Sequence, residues 1–215
     1  MINKPKSYDD VNPRTSFSRR IKDGYYKGII TNVEVKKMES KKGTEFEILS
    51  VSLDVDDGEF KNYYKEKYDE NKNENKGWGL TKDLFLENES NSDELNKINA
   101  ERLKTFVTCV EDSNLHFKFD WNEKTLIGKK VGFALGLKEF KTKEGPVYTT
   151  PDFRFFCSYK TVDEMDYSKT ENKLKVRTLD GRLVNYREYM NNSTLKNNET
   201  EGDFITIEDT DDIPF

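Results

Sequence analysis

The sequence contains few of the residues that build reactive or metal-binding centres. It has 215 residues but only one His and two Cys, and both cysteines lie in apolar stretches, "FVTCVED" and "FRFFCSY". Zinc sites in proteins usually combine four Cys and His ligands, so this composition excludes the usual ones. We expect Cys109 and Cys157 to be buried thiols rather than a disulfide pair.

Sequence motifs of enzymes and of membrane proteins are also missing. There is no Gly-rich phosphate loop, no "HExxH", no nucleophile elbow and no long apolar run. Residues 1–17 lack the apolar segment of a signal peptide. The sequence therefore predicts a soluble, cytoplasmic protein that is not an enzyme and that needs no cofactor, metal ion or membrane.

Acidic residues are concentrated at one end of the chain. Charged residues make up 36% of it and hydrophobic residues 33%, which suits one modest core with long solvated segments. Seven of the 41 acidic residues follow Lys196, whereas no Lys or Arg does. Residues 1–196 thus carry 34 acidic and 36 basic residues, a balance of +2 against −5 for the whole chain. This asymmetry is typical of an acidic interaction tail on a body of different character.

The first part of the chain shows the period-two alternation of β-strands. Residues 25–38 ("YYKGIITNVEVKKM") predict one strand, and residues 44–60 predict a second one after a Lys-rich turn. In the second strand Phe46 and Ile48 are out of phase with the apolar residues from Val51 onward. A slip of one residue inside a strand predicts a β-bulge, which bends the strand.

The next segment alternates aromatic and basic residues and leads into a polar insertion. Residues 60–68 ("FKNYYKEKY") predict a third strand after the "DDG" turn at 56–58. Residues 69–92 form the insertion, in which Trp78 stands between two glycines and is expected at the surface. The other tryptophan, Trp121, is expected to pack in the core or in a lid over it.

A helix and two more strands follow. Apolar residues recur at helical spacing between residues 93 and 112, after Ser92 or Asp93 as a capping residue. Strands are predicted within 125–145 and 151–162. Beyond about residue 165 the apolar periodicity is lost, which predicts disorder apart from a short hairpin in "VRTLDGRLVNY".

These elements predict a fold that is mainly β. Three strands, one helix and two strands are the element order of the OB-fold, a five-stranded barrel with a helix between its third and fourth strands. The predicted organisation is a flexible arm at 1–20, the barrel domain at 21–165 and a disordered acidic tail at 166–215. A generic α+β sandwich is the alternative.

The predicted strands carry basic and aromatic residues on the side opposite their apolar face. Single-stranded nucleic acid is held by a cationic groove and by aromatic rings on which bases stack. Gly132, Ala134 and Gly136 would let such a ligand approach the fourth strand closely. Lysines that face solvent beside packed aromatics are the alternative interpretation. The candidate DNA-binding residues are Tyr63, Lys65, Lys67, Trp78, Lys130, Lys138, Phe140, Arg154, Phe156 and Lys160.

The chain ends on an apolar tip after acidic residues, "EDTDDIPF" at 208–215. An exposed aromatic ring gains nothing from water, so this tip either folds back onto the body or fills a partner's pocket. In the second case Pro214 lowers the cost of ordering, and the Phe215 ring fills the pocket while its carboxylate meets a cation. The candidate partner-binding residues are Asp209, Asp211, Asp212, Ile213, Pro214 and Phe215.

The tip resembles the C-terminal tip of bacterial and phage single-stranded DNA-binding proteins over all five positions of "DDIPF". The body, with "SNLHFKFDWNEKTLIGKKVG" at 113–132 and "PDFRFFCS" at 151–158, is similar to the versions encoded by phages and mobile elements of Gram-positive bacteria rather than to the housekeeping version. The resemblance implies an OB-fold body that covers single-stranded DNA in a bacterial host cell. It also implies a tip that recruits replication, recombination and repair enzymes.

Three functions are compatible with these patterns. The first is a non-catalytic single-stranded DNA-binding protein, which the basic and aromatic strand faces favour. The second is an adaptor that binds the same enzymes through its tip without binding DNA. The third, a nuclease or another DNA-processing enzyme, lacks a recognisable catalytic constellation. Association with further copies of the chain is left open.

Overall fold

The computed structural model describes residues 19–41, 43–143 and 145–197. Most of the predicted arm (1–18) and the whole predicted tip lie outside the described residues. Within the described part of the chain, no helix is long and apolar enough to cross a membrane.

Two long antiparallel strands begin the fold, as the alternating sequence predicts. β1 (Gly24–Glu39) and β2 (Glu45–Val55) form a hairpin. The predicted bulge lies in β1 rather than in β2, because the pairing shifts between Ile30 and Asn32 and leaves Thr31 as the extra residue. The change of phase in β2 has a different cause, since most residues of this strand are buried on both faces.

The segment predicted as the third strand is helical. α1 (Tyr63–Glu70) begins three residues into it. Phe60 and Tyr64 are buried in the core. A spacing of four residues fits one face of a helix as well as it fits an alternating strand, so the aromatic pattern did not distinguish the two.

The third strand lies instead inside the predicted polar insertion. β3 (Thr81–Phe85) pairs antiparallel with β2 and buries Leu84. The predicted helix between the third and fourth strands is confirmed as α2 (Asp93–Ser113). The Ser92 hydroxyl caps this helix by accepting a hydrogen bond from a backbone N–H of its first turn at 3.2 Å.

The last two predicted strands are confirmed and form a second long hairpin. β4 (Lys130–Lys141) pairs with β5 (Val147–Cys157), and a register shift leaves Arg154 as an extra residue in β5. The first half of β4 also pairs with the first half of β1. The core lies between these strands and α2, from which Phe106 and Val110 are fully buried.

Residues 159–197 are folded, whereas the sequence pattern predicted disorder from residue 166. They contain α3 (Tyr159–Glu164), β6 (Val176–Arg177), β7 (Leu183–Val184) and α4 (Tyr186–Asn197). The short hairpin predicted here is confirmed as the β6–β7 pair.

Single, widely spaced contacts hold this segment on the sheet. Val176 is fully buried, and the Tyr167 hydroxyl donates to Asp23 at 2.8 Å. Arg177 forms an ion pair with Asp152 at 3.0 Å. Because such anchors have no period along the chain, loss of apolar periodicity did not distinguish this segment from a disordered one.

Within the described residues, seven strands form one mixed sheet that is not closed into a barrel. Their order is β3-β2-β1-β4-β6-β7, with β5 on the other side of β4. The fold is therefore mixed α/β rather than mainly β as predicted, and its sheet is open rather than the predicted five-stranded barrel. Within the described residues β3 and β5 share no hydrogen bonds, although the Lys82 amine lies 5.6 Å from the centre of the Phe153 ring.

A buried carboxylate on β2 caps α1. Asp54 is 2% exposed and accepts backbone N–H groups of Tyr64 and Lys65 at 2.9 and 3.1 Å, as well as that of Val55. α1 has no capping side chain of its own. The start of the helix is thus satisfied by a group from the sheet.

We expect Asp54→Ala to lower the free energy of unfolding by about 1–3 kcal/mol, because it leaves buried N–H groups unpaired. Urea denaturation followed by circular dichroism measures this change. Asp69→Ala is the matched control, since it removes only an exposed pair with Lys65 and should cost less than about 0.5 kcal/mol. Equal losses in the two variants would contradict the capping role.

Candidate nucleic-acid interface

Three of the predicted DNA-binding residues lie on α1. Tyr63 is half-buried and packs against two neighbouring aromatic rings. Lys65 and Lys67 pair with acidic residues of the same helix at 2.8 and 3.0 Å. This group is close together, but its charges are largely compensated.

Trp78 belongs to a second cluster beside α1. Its indole N–H donates to the Leu53 carbonyl at 2.6 Å, and its ring lies 5.5 Å from that of Tyr68. The Lys76 amine lies 4.3 Å from the centre of the Tyr68 ring. Trp78 is therefore half-buried, with Tyr68 and Lys76 as neighbours that the sequence pattern did not indicate.

Two predicted DNA-binding residues are buried, so the prediction that they face a ligand is wrong. Phe156 is 8% exposed and contacts the rings of Phe106 and Phe153. The Arg154 guanidinium pairs with Asp152 at 3.2 Å, and its side chain is also 8% exposed. The bulge at Arg154 reverses the alternation of β5, which places Phe153 and Phe156 on the same side.

The small residues of β4 accommodate the chain's own side chains rather than a ligand. A Cβ at Gly132 would lie 2.8 Å from the Val162 side chain of α3, and one at Gly136 would meet the Arg154 side chain. The expected approach of a nucleic acid to this face is therefore blocked by α3 and β5.

Lys130 and Lys160 lie at α3. The Lys130 amine is 5.6 Å from the centre of the Tyr159 ring and 4.0 Å from Asp56. Lys160 is exposed and pairs with Glu164 at 3.7 Å. Neither lysine is beside an exposed aromatic pair.

Lys138 and Phe140 share one face of the β4–β5 hairpin, as strand alternation predicted. Phe140 lies opposite Tyr148, and the two rings are stacked with centres 5.5 Å apart and planes 28° apart. Lys141 and Lys143 follow on the same hairpin. Within the described residues these three lysines form no ion pair, so their charges are available to phosphates.

A second exposed aromatic pair lies on the outer face of β2 and β3. Phe85 is 48% exposed and alternates with the buried Leu84, so it lies on the side opposite the core. The Phe46 ring is 5.6 Å away. Ile48 is buried on this same face, and Met38 of β1 lies beside Phe46.

Polar side chains continue this outer face along β2. The Ser50 hydroxyl donates to Asp83 at 2.8 Å, and the hydroxyls of Ser52 and Thr81 are 3.1 Å apart. Glu34 of β1 lies opposite Ser50 and is paired with Lys36, which lies opposite Ile48, at 3.5 Å. The β2–β3 face, defined as Phe46, Ile48, Ser50, Ser52, Thr81, Asp83 and Phe85, thus combines two stacking rings with hydrogen-bonding groups.

Sequence reasoning missed Phe46, Phe85 and Tyr148 as site residues. Phe46 was used only as evidence for a β-bulge in the second strand, and Phe85 lay in the supposed insertion. The alternation of Phe85 with Leu84 is a signal that could have been used once β3 is recognised. Tyr148 required the register of the β4–β5 hairpin, which pairs it with Phe140.

The described residues contain little that suits catalysis or phosphate capture in a pocket. A shallow cavity of about 340 Å³ is bordered by Lys27 and by Asp57, Glu59 and Asp163, which make its mouth acidic. Burial raises the pKa of Cys109, and it raises that of Cys157 to about 12, which keeps both thiols protonated. Within the described ranges no three His, Cys, Asp or Glu residues are grouped as metal ligands.

Comparison of the sequence with protein-family models gave no match, and comparison with curated proteins gave none either.

We expect Phe156→Ala to lower the free energy of unfolding by about 3–5 kcal/mol, since it leaves a cavity between Phe106 and Phe153. Phe140→Ala, the control, removes a half-exposed cross-strand partner and should cost about 1 kcal/mol or less. Urea denaturation of both variants tests the burial of Phe156. A Phe156→Ala protein as stable as the wild type would show that this ring is not a core residue.

Proposed function

We propose that the chain is a non-catalytic single-stranded DNA-binding protein. It coats single-stranded DNA during replication, recombination or repair, and it recruits partner enzymes through its C-terminal tip. One observation carries the proposal: partly exposed aromatic pairs lie on both the β2–β3 face and the β4–β5 hairpin, and the lysines beside the second pair form no ion pair within the described residues.

The order of the elements supports the proposal. Strands β1 to β5, with α2 between β3 and β4, follow the order of the OB-fold, which is described as a partly open barrel. OB-folds bind oligonucleotides on the face of their second and third strands and in the loops that join the first strand to the second and the fourth to the fifth. The two aromatic pairs occupy the first and last of these regions.

The side chains of the two regions suit single-stranded DNA of any sequence. A base of any kind has a face that can stack on an aromatic ring, and lysines attract every phosphate alike. Stacking rings without an array of paired Arg, Asn or Gln side chains favour binding that tolerates any sequence. An adaptor would need only the tip. The aromatic pairs therefore favour the DNA-binding function over the adaptor function.

We expect tight binding to oligo-dT that weakens steeply as salt concentration rises, because bound lysines release counterions. Phe85→Ala should weaken binding by about 5- to 150-fold, the equivalent of about 1–3 kcal/mol of stacking. Fluorescence anisotropy of a labelled oligonucleotide at several salt concentrations measures both effects. Lys138→Ala should instead flatten the dependence on salt.

Leu179→Ala is the matched control, since Leu179 is also an exposed apolar residue but lies in the β6–β7 turn. It should bind like the wild type. A wild-type protein that ignores oligo-dT at low salt would leave only the adaptor function.

A second expectation concerns residues 199–215, which contain seven acidic residues and no basic one. Deleting them should preserve or strengthen DNA binding, most visibly at low salt, because tethered acids compete with phosphates at an effective concentration of about 1 mM or more. The deletion should abolish capture of replication, recombination and repair enzymes, and so should removal of Phe215 alone.

A peptide of the last nine residues provides the matched test, since it should compete for the captured enzymes and the same peptide without Phe215 should not. If the protein truncated before Glu199 still captures the same enzymes, the tip is not the recruiting segment.

A further inference from the structure

The loop between α2 and β4 leaves three large apolar side chains exposed, two of them almost entirely. Leu115 is 87% exposed, Trp121 is 77% exposed and Ile127 is 43% exposed, although the sequence context predicted core or lid packing for Trp121. The α2–β4 loop is defined here as residues 114–129. Its other aromatic residues, Phe117 and Phe119, are half-buried.

Hydrogen bonds fix this loop, so the exposure of Trp121 is part of its folded form. The Asn114 amide donates to the Lys130 carbonyl at 2.7 Å and accepts the Lys130 N–H at 3.0 Å. Glu111 accepts the Phe119 N–H at 3.0 Å. Asp120 accepts the Thr125 hydroxyl at 2.9 Å and a backbone N–H of the following turn.

The backbone at Trp121 is in the left-handed region, where φ is 65°. A bulky residue rarely adopts this conformation, because its Cβ crowds the backbone. This conformation therefore lowers the stability of the fold. Burial of the indole does little to offset that free energy cost, because the ring is mostly exposed to solvent. Retained strain of this kind is a reason to look for a function at the residue.

Trp121 lies near the edge of β1 that β4 leaves unpaired. β4 pairs with β1 only up to Ile29, and beyond it the Ile30 N–H donates to the Lys129 carbonyl while the Ile30 carbonyl accepts the Gly128 N–H. The 3-10 helix Glu123–Leu126, which begins two residues after Trp121, packs against β1. The loop thus borders the sheet of β1, β2 and β3 at Ile30, whereas Phe85 is in register with Ile48 and Lys36, about 20 Å further along β1.

We propose that Trp121 is a second stacking platform for single-stranded nucleic acid, on which a base of the strand bound at the β2–β3 face stacks. This inference rests on the proposed function. Phe119 supports the platform, with its ring 5.4 Å from that of Trp121 and the planes tilted by 50°. Most of the surface of Trp121, 77%, remains open to a ligand.

Two lysines near Trp121 can contact the phosphates of a nucleotide. Lys124 and Lys129 form no ion pair within the described residues, and the Lys129 amine lies 4.5 Å from the centre of the Phe117 ring. The carboxylates of Asp120 and Glu123 lie beside Trp121 in the sequence, and that of Asp120 accepts two hydrogen bonds within the turn. A nucleotide on the indole would therefore have its phosphates toward the lysines and away from these acids.

The chain has two tryptophans, so their fluorescence can be separated. In the Trp78→Phe variant, Trp121 is the only indole, and we expect oligo-dT to quench its emission with the same midpoint as anisotropy of a labelled oligonucleotide. Trp121→Ala should weaken oligo-dT binding by about 5- to 150-fold. Trp121→Phe should recover most of that loss, because it keeps an aromatic face.

Leu115→Ala is the control within the same loop and should leave affinity unchanged. The affinity measurements do not depend on the Trp78→Phe variant, and the exposed Trp121 side chain can be replaced without opening the core. If Trp121→Ala binds oligo-dT like the wild type while Phe85→Ala does not, Trp121 is not a stacking platform and the proposed function stands. If neither the wild type nor any variant binds, both proposals fail.

One further outcome would overturn the inference in favour of a protein contact. Sedimentation velocity of the wild type and of Trp121→Ala shows whether this residue holds copies of the chain together. Loss of self-association in the variant, with unchanged affinity for oligo-dT, would assign the exposed loop to an interface between copies.

Discussion

The contact between Gly28 and Phe133 is the constraint on which the arrangement of the sheet depends. A Cβ at position 28 would lie 2.6 Å from the Phe133 ring and 2.9 Å from the Val131 carbonyl, so only glycine lets β1 and β4 pack this closely. β1 pairs with β2 along most of its length but with β4 only in its first half. The bulge at Thr31 lies two residues beyond the segment of β1 that pairs with β4. The β1–β2 hairpin and the β4–β5 hairpin extend past that shared segment in opposite directions.

Apart from the short β6–β7 hairpin, which its turn residues indicated, the elements predicted from the sequence are those whose signal is long and periodic. β1, β2, α2, β4 and β5 each span at least 11 residues. β3 has five residues and buries one of them, Leu84, so its own pattern is too short to identify a strand. Residues 159–197 were missed because isolated groups such as Val176 and Tyr167 anchor them, and no local pattern encodes a partner that is distant in the chain.

The sequence indicated which types of side chain form the candidate site, basic and aromatic ones, but only some of the particular residues. Lys138 and Phe140 share a face as alternation requires, because no bulge interrupts β4 near them. Arg154 and Phe156 were assigned to the wrong side, since a bulge within β5 changes the phase without changing the composition. Gly132 illustrates a second limit: a small residue indicates a close approach, but the approaching group is Val162 of the same chain.

The distribution of aromatic residues explains why the exposed pairs are better candidates than the buried ones. Rings such as Phe106 and Phe133 are fully buried and stabilise the core. The pairs Phe46–Phe85, Phe140–Tyr148 and Phe119–Trp121 keep part of their surface in water, so folding gains less from them. Each pair nevertheless holds its rings in a defined orientation. A base that stacks on such a ring orders few further side chains, and this lowers the entropic cost of binding a flexible strand.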